Sequence, residues 1–377
     1  MVQQVHVRMD PSLNVIRRLR TLLKKYHSTN ICILLSLIFW GILTAGGPLP
    51  GSADQLIIYP PPPDSTRIQF LTSFSTSTDI TGGRSGILRY ILGAEEARPI
   101  FKPYGIASSK GKIYICDTQL GGLEIIDLEQ KKFDYFQPRG RGQIFKPINC
   151  TLDDKGYLYI ADTERNQIVI FDADLNYFNS IGNPTEFKPT DVSYFGGDIW
   201  VCNLKAKRIE VFSGTSLTLV KSFPDAASSD PEFLFSPTNL FVTESQVYVS
   251  DFGDFRIKIF NHQGQFVKSL GSYGQAPGQF VRPKGIAVDT HNFLYVTDAG
   301  FENVQMFDEQ GQLLMFFGGN YKGPGDMWLP AKVCLDYENL AFFQKYVDDA
   351  FKLKYLIYVT NQFGPDKINV YGFVEYR

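Results

Sequence analysis

Histidine, cysteine and methionine are scarce in this chain of 377 residues, which carries four, five and five of them. Only His262 and His291 stand outside the N-terminal region, each in its own turn segment, NHQGQ and DTHN. Two turn histidines in different repeats cannot supply a His-rich metal site. Cys32, Cys116, Cys150, Cys202 and Cys334 form no CxxC pair and no close Cys/His spacing, which argues against zinc. The four in the body are expected as buried free thiols. Neither a GxSxG elbow nor a phosphate-binding glycine loop occurs. Net charge is only −2, so the composition indicates neither a nucleic-acid protein nor a disordered chain.

Long apolar runs are missing as well, with one exception. Ile31–Ala45 reads ICILLSLIFWGILTA, preceded by Arg8, Arg17, Arg18, Arg20, Lys24 and Lys25 against a lone Asp10. A basic n-region followed by about fifteen apolar residues matches a secretory signal and is short for a membrane span. Gly51–Ala53 offers a small-residue cleavage site, and left uncleaved the segment would anchor the chain to the membrane. We expect residues 1–53 to be a signal peptide or membrane anchor and 54–66 a Pro-rich linker, with Pro60–Pro63 in polyproline II. The body, 67–377, is then exported and either periplasmic or membrane-anchored on the extracytoplasmic side of a bacterial cell.

Tyr, Phe, Gly and Pro are plentiful, the mixture of short strands joined by tight turns. An aromatic followed closely by proline recurs at Phe101/Pro103, Phe145/Pro147, Phe187/Pro189, Phe235/Pro237, Phe280/Pro283 and Trp328/Pro330, the prolines 42–48 residues apart. Eleven or twelve residues after most of them comes an aromatic, a β-branched residue, any residue, then Asp or Asn. Tyr114–Asp117, Tyr159–Asp162, Trp200–Asn203, Tyr248–Asp251, Tyr295–Asp298 and Tyr358–Asn361 fit this form. IVIFD, IEVF, IKIFN and VQMFD close four of the units. Six repeats of four short strands predict an all-β, six-bladed β-propeller with four-stranded blades. The last unit lacks its outermost strand, and Arg67–Phe74 reads as a strand without a blade. Pairing the two would close the ring. Apolar residues at helical spacing between Glu338 and Lys354 predict a helix inserted in the final blade.

These motifs, with GIA and YVTDAGFENVQMFD in the unit from Phe280 carrying the match most clearly, resemble the NHL-repeat family over about residues 67 to 377. Within it the chain is most similar to exported bacterial six-bladed propellers. Many of those are lipoproteins, but here Gly46 stands where the lipid-bearing cysteine would follow LTA. The family includes a lyase with metal-bound histidines and cytoplasmic RNA-binding members, and the export segment argues against nucleic acid here.

With strands lettered A to D outward from the axis, the B–C loops and D–A connections emerge on one face. That face is expected to carry Arg139, Arg141, Arg165, Lys205, Lys207, Arg208, Arg256 and Arg282, with Lys102, Lys146 and Lys188 beside the repeated prolines. These form a candidate patch for a protein partner or another anionic ligand. The repeated Asp/Asn is expected to accept hydrogen bonds from the following turn. As an alternative, Asp117, Asp162, Asp251 and Asp298 would converge on the channel as ligands of a hard cation such as Ca²⁺. Two functions from different classes follow. One is an extracytoplasmic protein-binding scaffold using the B–C/D–A face, without catalytic residues, metal or cofactor, and touching the membrane only through an uncleaved N-terminal segment. The other is a metal-assisted hydrolase or lyase using the channel Asp/Asn.

Overall fold

The computed structural model describes residues 56–82 and 96–377, so the leader and its cleavage site lie outside the described residues. Among them, no helix is long and apolar enough to cross a membrane. The short β-branched and aromatic runs form strands whose burial falls with distance from the axis. In the second blade Leu158–Asp162 is buried throughout, whereas Tyr177–Ile181 is largely open to solvent. Inner strands are covered on both faces by neighbouring blades, so they read as continuous apolar runs, and only the outer ones alternate.

Six sheets form the ring, each antiparallel and each ordered A to D. Blades I to V occupy residues 103–136, 147–181, 189–223, 237–270 and 283–318. Blade VI is composite. Pro330–Asp336, Phe351–Asn361 and Ile368–Tyr376 supply strands A to C, and Ile68–Phe74 from the other end of the chain supplies strand D. The pairing runs from Ile68 opposite Phe373 to Phe74 opposite Ile368, the closure the repeat count predicts.

Two expectations are corrected. Ile58–Tyr59 adds a fifth strand outside Ile68–Phe74, so Pro60–Pro63 lie in the turn between these strands and are not an extended spacer. The Tyr59 and Ile57 carbonyls accept the Arg67 and Phe70 amides at 2.8 and 2.9 Å, and the Tyr59 ring packs near Phe317 and Tyr371. Burial of that aromatic ties the segment down. The predicted helix of Glu338–Lys354 shrinks to Leu340–Phe343 and a 3-10 turn at Gln344–Tyr346. Phe351 and Leu353 leave it for strand B, where they face Tyr376 and Val374 of an overlong strand C. Cross-strand pairing outcompetes the helical periodicity there.

The six innermost strands touch their neighbours in cyclic order around the axis. Each begins at a buried proline, and each pairing breaks register within the next three residues. The second residue after each proline is Gly105, Asn149, Asp191, Asn239, Gly285 or Lys332. The four polar ones are buried, and Lys332 Nζ crosses from blade VI to reach Asp191 Oδ2 of blade III at 2.6 Å. Asn239 Nδ2 and the Leu240 amide also donate to Asp191 Oδ2, at 3.2 and 3.0 Å. A polar plug thus closes the central channel, and the two glycines let adjoining strands approach. A methyl at Gly285 would come within 2.5 Å of the Lys332 Cα.

Gly285→Ala should therefore destabilise the propeller by about 2–3 kcal/mol through overpacking. Gly323→Ala, where a methyl meets nothing within 4 Å, should stay within about 0.5 kcal/mol of wild type. Urea unfolding midpoints check both, and equal midpoints would mean that the axis is not tightly packed.

Candidate functional site: the loop face and the axial cavity

Each blade's repeated acidic or amide residue ends strand B and is buried. Asp117 shows its use. Oδ1 accepts the Gln119 and Leu120 amides of its own B–C turn, both at 2.8 Å. Oδ2 accepts the Phe101 and Lys102 amides of the incoming D–A connection at 2.7 and 2.6 Å. Asp162 does the same for Phe145, Lys146, Glu164 and Arg165, and Asp298 for Val281, Arg282, Gly300 and Phe301. Asp251 holds the Phe235 and Ser236 amides. In blade III Asn203 Oδ1 accepts the Lys188, Lys205 and Ala206 amides, and in blade VI Asn361 Oδ1 accepts the Trp328 amide of the connection. The following turn was the expected partner; the second pair of amides, from the connection, was not. With their oxygens turned to backbone amides, these four aspartates do not converge on the channel, and among the described residues no three His, Cys, Asp or Glu side chains gather as a metal site.

A further set of residues escaped the sequence reading. The strand-C residue opposite the position two before the repeated Asp or Asn of strand B is Glu124, Val169, Glu210, Lys258, Gln305 or Asn369. Three of them hold the connection between blades. Lys258 donates to the Phe233 carbonyl and pairs with Asp254 at 2.9 Å and Asp251 at 3.4 Å. Gln305 brackets the connection, donating to Gln279 O and accepting from Gly278 N. Asn369 donates to Asp326 O at 2.7 Å. Glu124 differs, for neither carboxylate oxygen has a partner among the described residues. Burial first, and the Asp117 charge second, push its pKa up to about 10.

The eight basic residues assigned to the loop face divide into two groups. Arg165, Arg208 and Arg256 are engaged within the fold: Arg165 donates to the Gln143 and Arg141 carbonyls, Arg208 pairs with Asp225 at 2.8 Å, and Arg256 with Asp254 at 2.7 Å. Arg139, Arg141, Lys205, Lys207 and Arg282 make no ion pair among the described residues, and all five are exposed. Exposed aromatics stand among them: Phe145, Phe235, Trp328 and Phe363 are each 38–48% open, and Tyr273 is 67% open. Lys207 Nζ lies 5.1 Å from the Phe233 ring, which packs on Phe235 at 4.9 Å. Only the aromatic–proline repeat hinted at this, since it puts Phe145, Phe235 and Trp328 just ahead of strand A.

The large cavity opens on the other face. About 830 Å³ of axial funnel rises from Lys332 past Ile106, Cys150, Val192, Leu240, Ile286 and Val333, one apolar residue from each blade. Ser108, Thr151, Ser193 and Cys334 line it higher up, and Lys110, Asp153 and Glu338 stand at its rim. Burial drives the Cys334 thiol pKa up to about 12, so it is not a thiolate at neutral pH. His262 packs on Trp200 with Nε2 at 2.7 Å from Thr243 O, and His291 stacks on Phe293; neither lines the funnel. The four cysteines of the body are free thiols, three buried and Cys334 partly so.

A family model described as 6-bladed beta-propeller matches residues 229–373. No curated protein sequence matches the chain. Among solved structures, a Bacteroides thetaiotaomicron protein of unknown function is 14% identical with a TM-score of 0.56, over 82% of this chain and 76% of that one. A catalytically inactive virginiamycin B lyase from Staphylococcus aureus, solved with quinupristin, is 15% identical with a TM-score of 0.50, over 72% and 95%. A streptogramin B lyase is 14% identical with the same TM-score, over 72% and 82%. These likenesses establish the six-bladed fold.

Asp162→Ala should cost about 3 kcal/mol, since four amides lose their acceptor, and Asp162→Asn less, since Asn203 does the same work in blade III. Adding Ca²⁺ should not move the wild-type thermal midpoint; a midpoint rising with Ca²⁺ and lost in Asp162→Asn would restore the metal alternative. Glu124 gives a pH signature. Its folded pKa lies above the unfolded value, so the folded state binds the extra proton and stability falls as pH rises from about 4.5. Glu124→Gln should match wild type near pH 4 and melt a few degrees higher at pH 8. A constant difference across that range would show that Glu124 is ionised in the folded protein.

Proposed function

We propose that this six-bladed propeller works on the extracytoplasmic side of a bacterial cell, delivered or tethered there by residues 1–53, and binds a protein partner on its B–C/D–A face. The observation that carries this reading is the mixture of exposed aromatics with cations that have no carboxylate partner among the described residues. Aromatic and Arg side chains are the residues that anchor protein interfaces, and solvent alone gives no reason to expose Phe145, Phe235, Trp328 and Phe363 on one face. The blade pins beneath hold these loops rigid, which lowers the entropic cost of association.

The test is cross-linking and affinity capture from the native envelope fraction. A Lys205→Glu, Lys207→Glu, Arg282→Glu triple variant should lose the captured partner while keeping its thermal midpoint. Arg165 and Arg256 are left intact because they hold the loops themselves. A Lys110→Glu, Lys155→Glu variant on the funnel rim should capture as well as wild type. Retention by the first variant and loss by the second would move the binding site to the funnel face.

A further inference from the structure

The axial mouth of the loop face gathers three cations. Lys284 follows Pro283 in blade V and Tyr104 follows Pro103 in blade I. Lys284 Nζ lies 4.8 Å from the Tyr104 ring centroid, reaching past blade VI, where the matching residue is the small Ala331. Arg282 and Lys102, beside the same two prolines, stand near enough for both charges to act on Lys284. Lys102 Nζ in turn lies 5.0 Å from the exposed Phe363 ring. Among the described residues none of the three cations pairs with an Asp or Glu, and the Tyr104 hydroxyl has no hydrogen-bond partner. The acids around them are already engaged: Asp191, whose charge acts on Tyr104, is held by Lys332 Nζ, Asn239 and the Leu240 amide, and Asp117 and Asp298 accept the Lys102 and Arg282 backbone amides with their neighbours.

Like charges in a half-buried setting repel. Burial, and then Arg282 and Lys102, lower the Lys284 pKa to about 8. Burial and Asp191 push Tyr104 up to about 12, which keeps its hydroxyl a donor at neutral pH. An incoming anion would relieve the repulsion and meet an Arg fork, two ammonium groups and a phenol. We propose that Lys102, Tyr104, Arg282 and Lys284 form an axial receptor for a carboxylate on an acidic peptide segment of the protein partner. This rests on the reading that the partner docks on the B–C/D–A face. The two polar layers of the axis are then distinct: the buried Asp191–Lys332 pair is already ion-paired, whereas outside it, among the described residues, the Lys102, Arg282 and Lys284 side chains make no ion pair.

The probe is a fluorescein-labelled octapeptide of alternating Glu and Ala, compared with its Gln-for-Glu counterpart, titrated with the full chain and read by fluorescence anisotropy. The Glu peptide should bind at least about tenfold more tightly than the Gln peptide, and Lys284→Gln and Arg282→Gln should each erase most of that difference. Tyr104→Phe, which keeps the ring and the fold, should weaken binding severalfold. Lys155→Gln on the opposite face should change nothing. The proposal falls if the two peptides bind alike, if neither binds at about 1 mM, or if Lys155→Gln costs as much as Lys284→Gln. It also falls if inorganic phosphate displaces the peptide equally well from wild type and Lys284→Gln, since the anion site would then lie elsewhere. An envelope partner that Lys284→Gln still captures would sink this receptor and leave the face reading intact. Peptide binding without any envelope partner would do the reverse.

Discussion

One acidic or amide side chain at the end of each strand B holds the architecture together. A carboxylate there accepts amides from two separate pieces of chain, its own B–C turn and the connection arriving from the blade before. Each crossing between blades is thereby fixed to the blade it enters, and the proline that starts strand A is delivered to the axis in a set position. The turns show how firmly. Asn166, Lys207, Phe255 and Glu302 all sit with φ between 53° and 57°, a region that costs a non-glycine residue roughly 1 kcal/mol or more. Such conformations persist only where the surroundings over-determine them, and the Asp or Asn acceptor at the base of the turn contributes to that.

That same arrangement divides the molecule across its axis. The residue two beyond each proline meets its counterparts at the centre, where a buried Lys332–Asp191 pair spans the ring. Removing one member of such a pair leaves an uncompensated charge in the interior and costs about 3–5 kcal/mol. The plug is therefore a structural commitment as well as a barrier. Above it the funnel is apolar at its floor and ringed with hydroxyls; below it the mouth is cationic and aromatic.

Much of this is legible in the sequence because it repeats. Proline, aromatic and Asp/Asn recur at a near-constant interval, so the number of blades, the closure by Ile68–Phe74 and the acceptor role of Asp117 and its equivalents all follow from spacing. What stayed hidden varies from blade to blade. Glu124, Val169, Glu210, Lys258, Gln305 and Asn369 occupy one structural position with no common chemistry, and Lys258 in RIKIF reads like the solvent side of an alternating strand until the connection folds over it. Asp191 and Lys332 are 141 residues apart. Their meeting depends on a register break after each proline, which no local pattern announces. The helical spacing before Phe351 misled for a related reason, because an overlong strand C was waiting to pair with it.

This contrast bears on where function resides. The positions repeated most faithfully are those whose polar atoms are consumed by backbone amides, so repetition here reports folding rather than chemistry. Asp117, Asp162, Asp251 and Asp298 are conspicuous in the sequence and closed in the structure. Arg165, Arg208 and Arg256 lie on the expected face yet hold its loops in place. The residues free to meet another molecule are those at which the blades differ: Lys205 and Lys207 in one loop, Trp328 and Phe363 at another, Tyr104 and Lys284 where four other blades have Ile148, Thr190, Thr238 and Ala331. A six-fold scaffold offers six equivalent places to put a side chain, and it becomes specific only where that equivalence is broken. In this chain the break is greatest around blades V, VI and I, the sector in which cations and aromatics have gathered without carboxylates to match them.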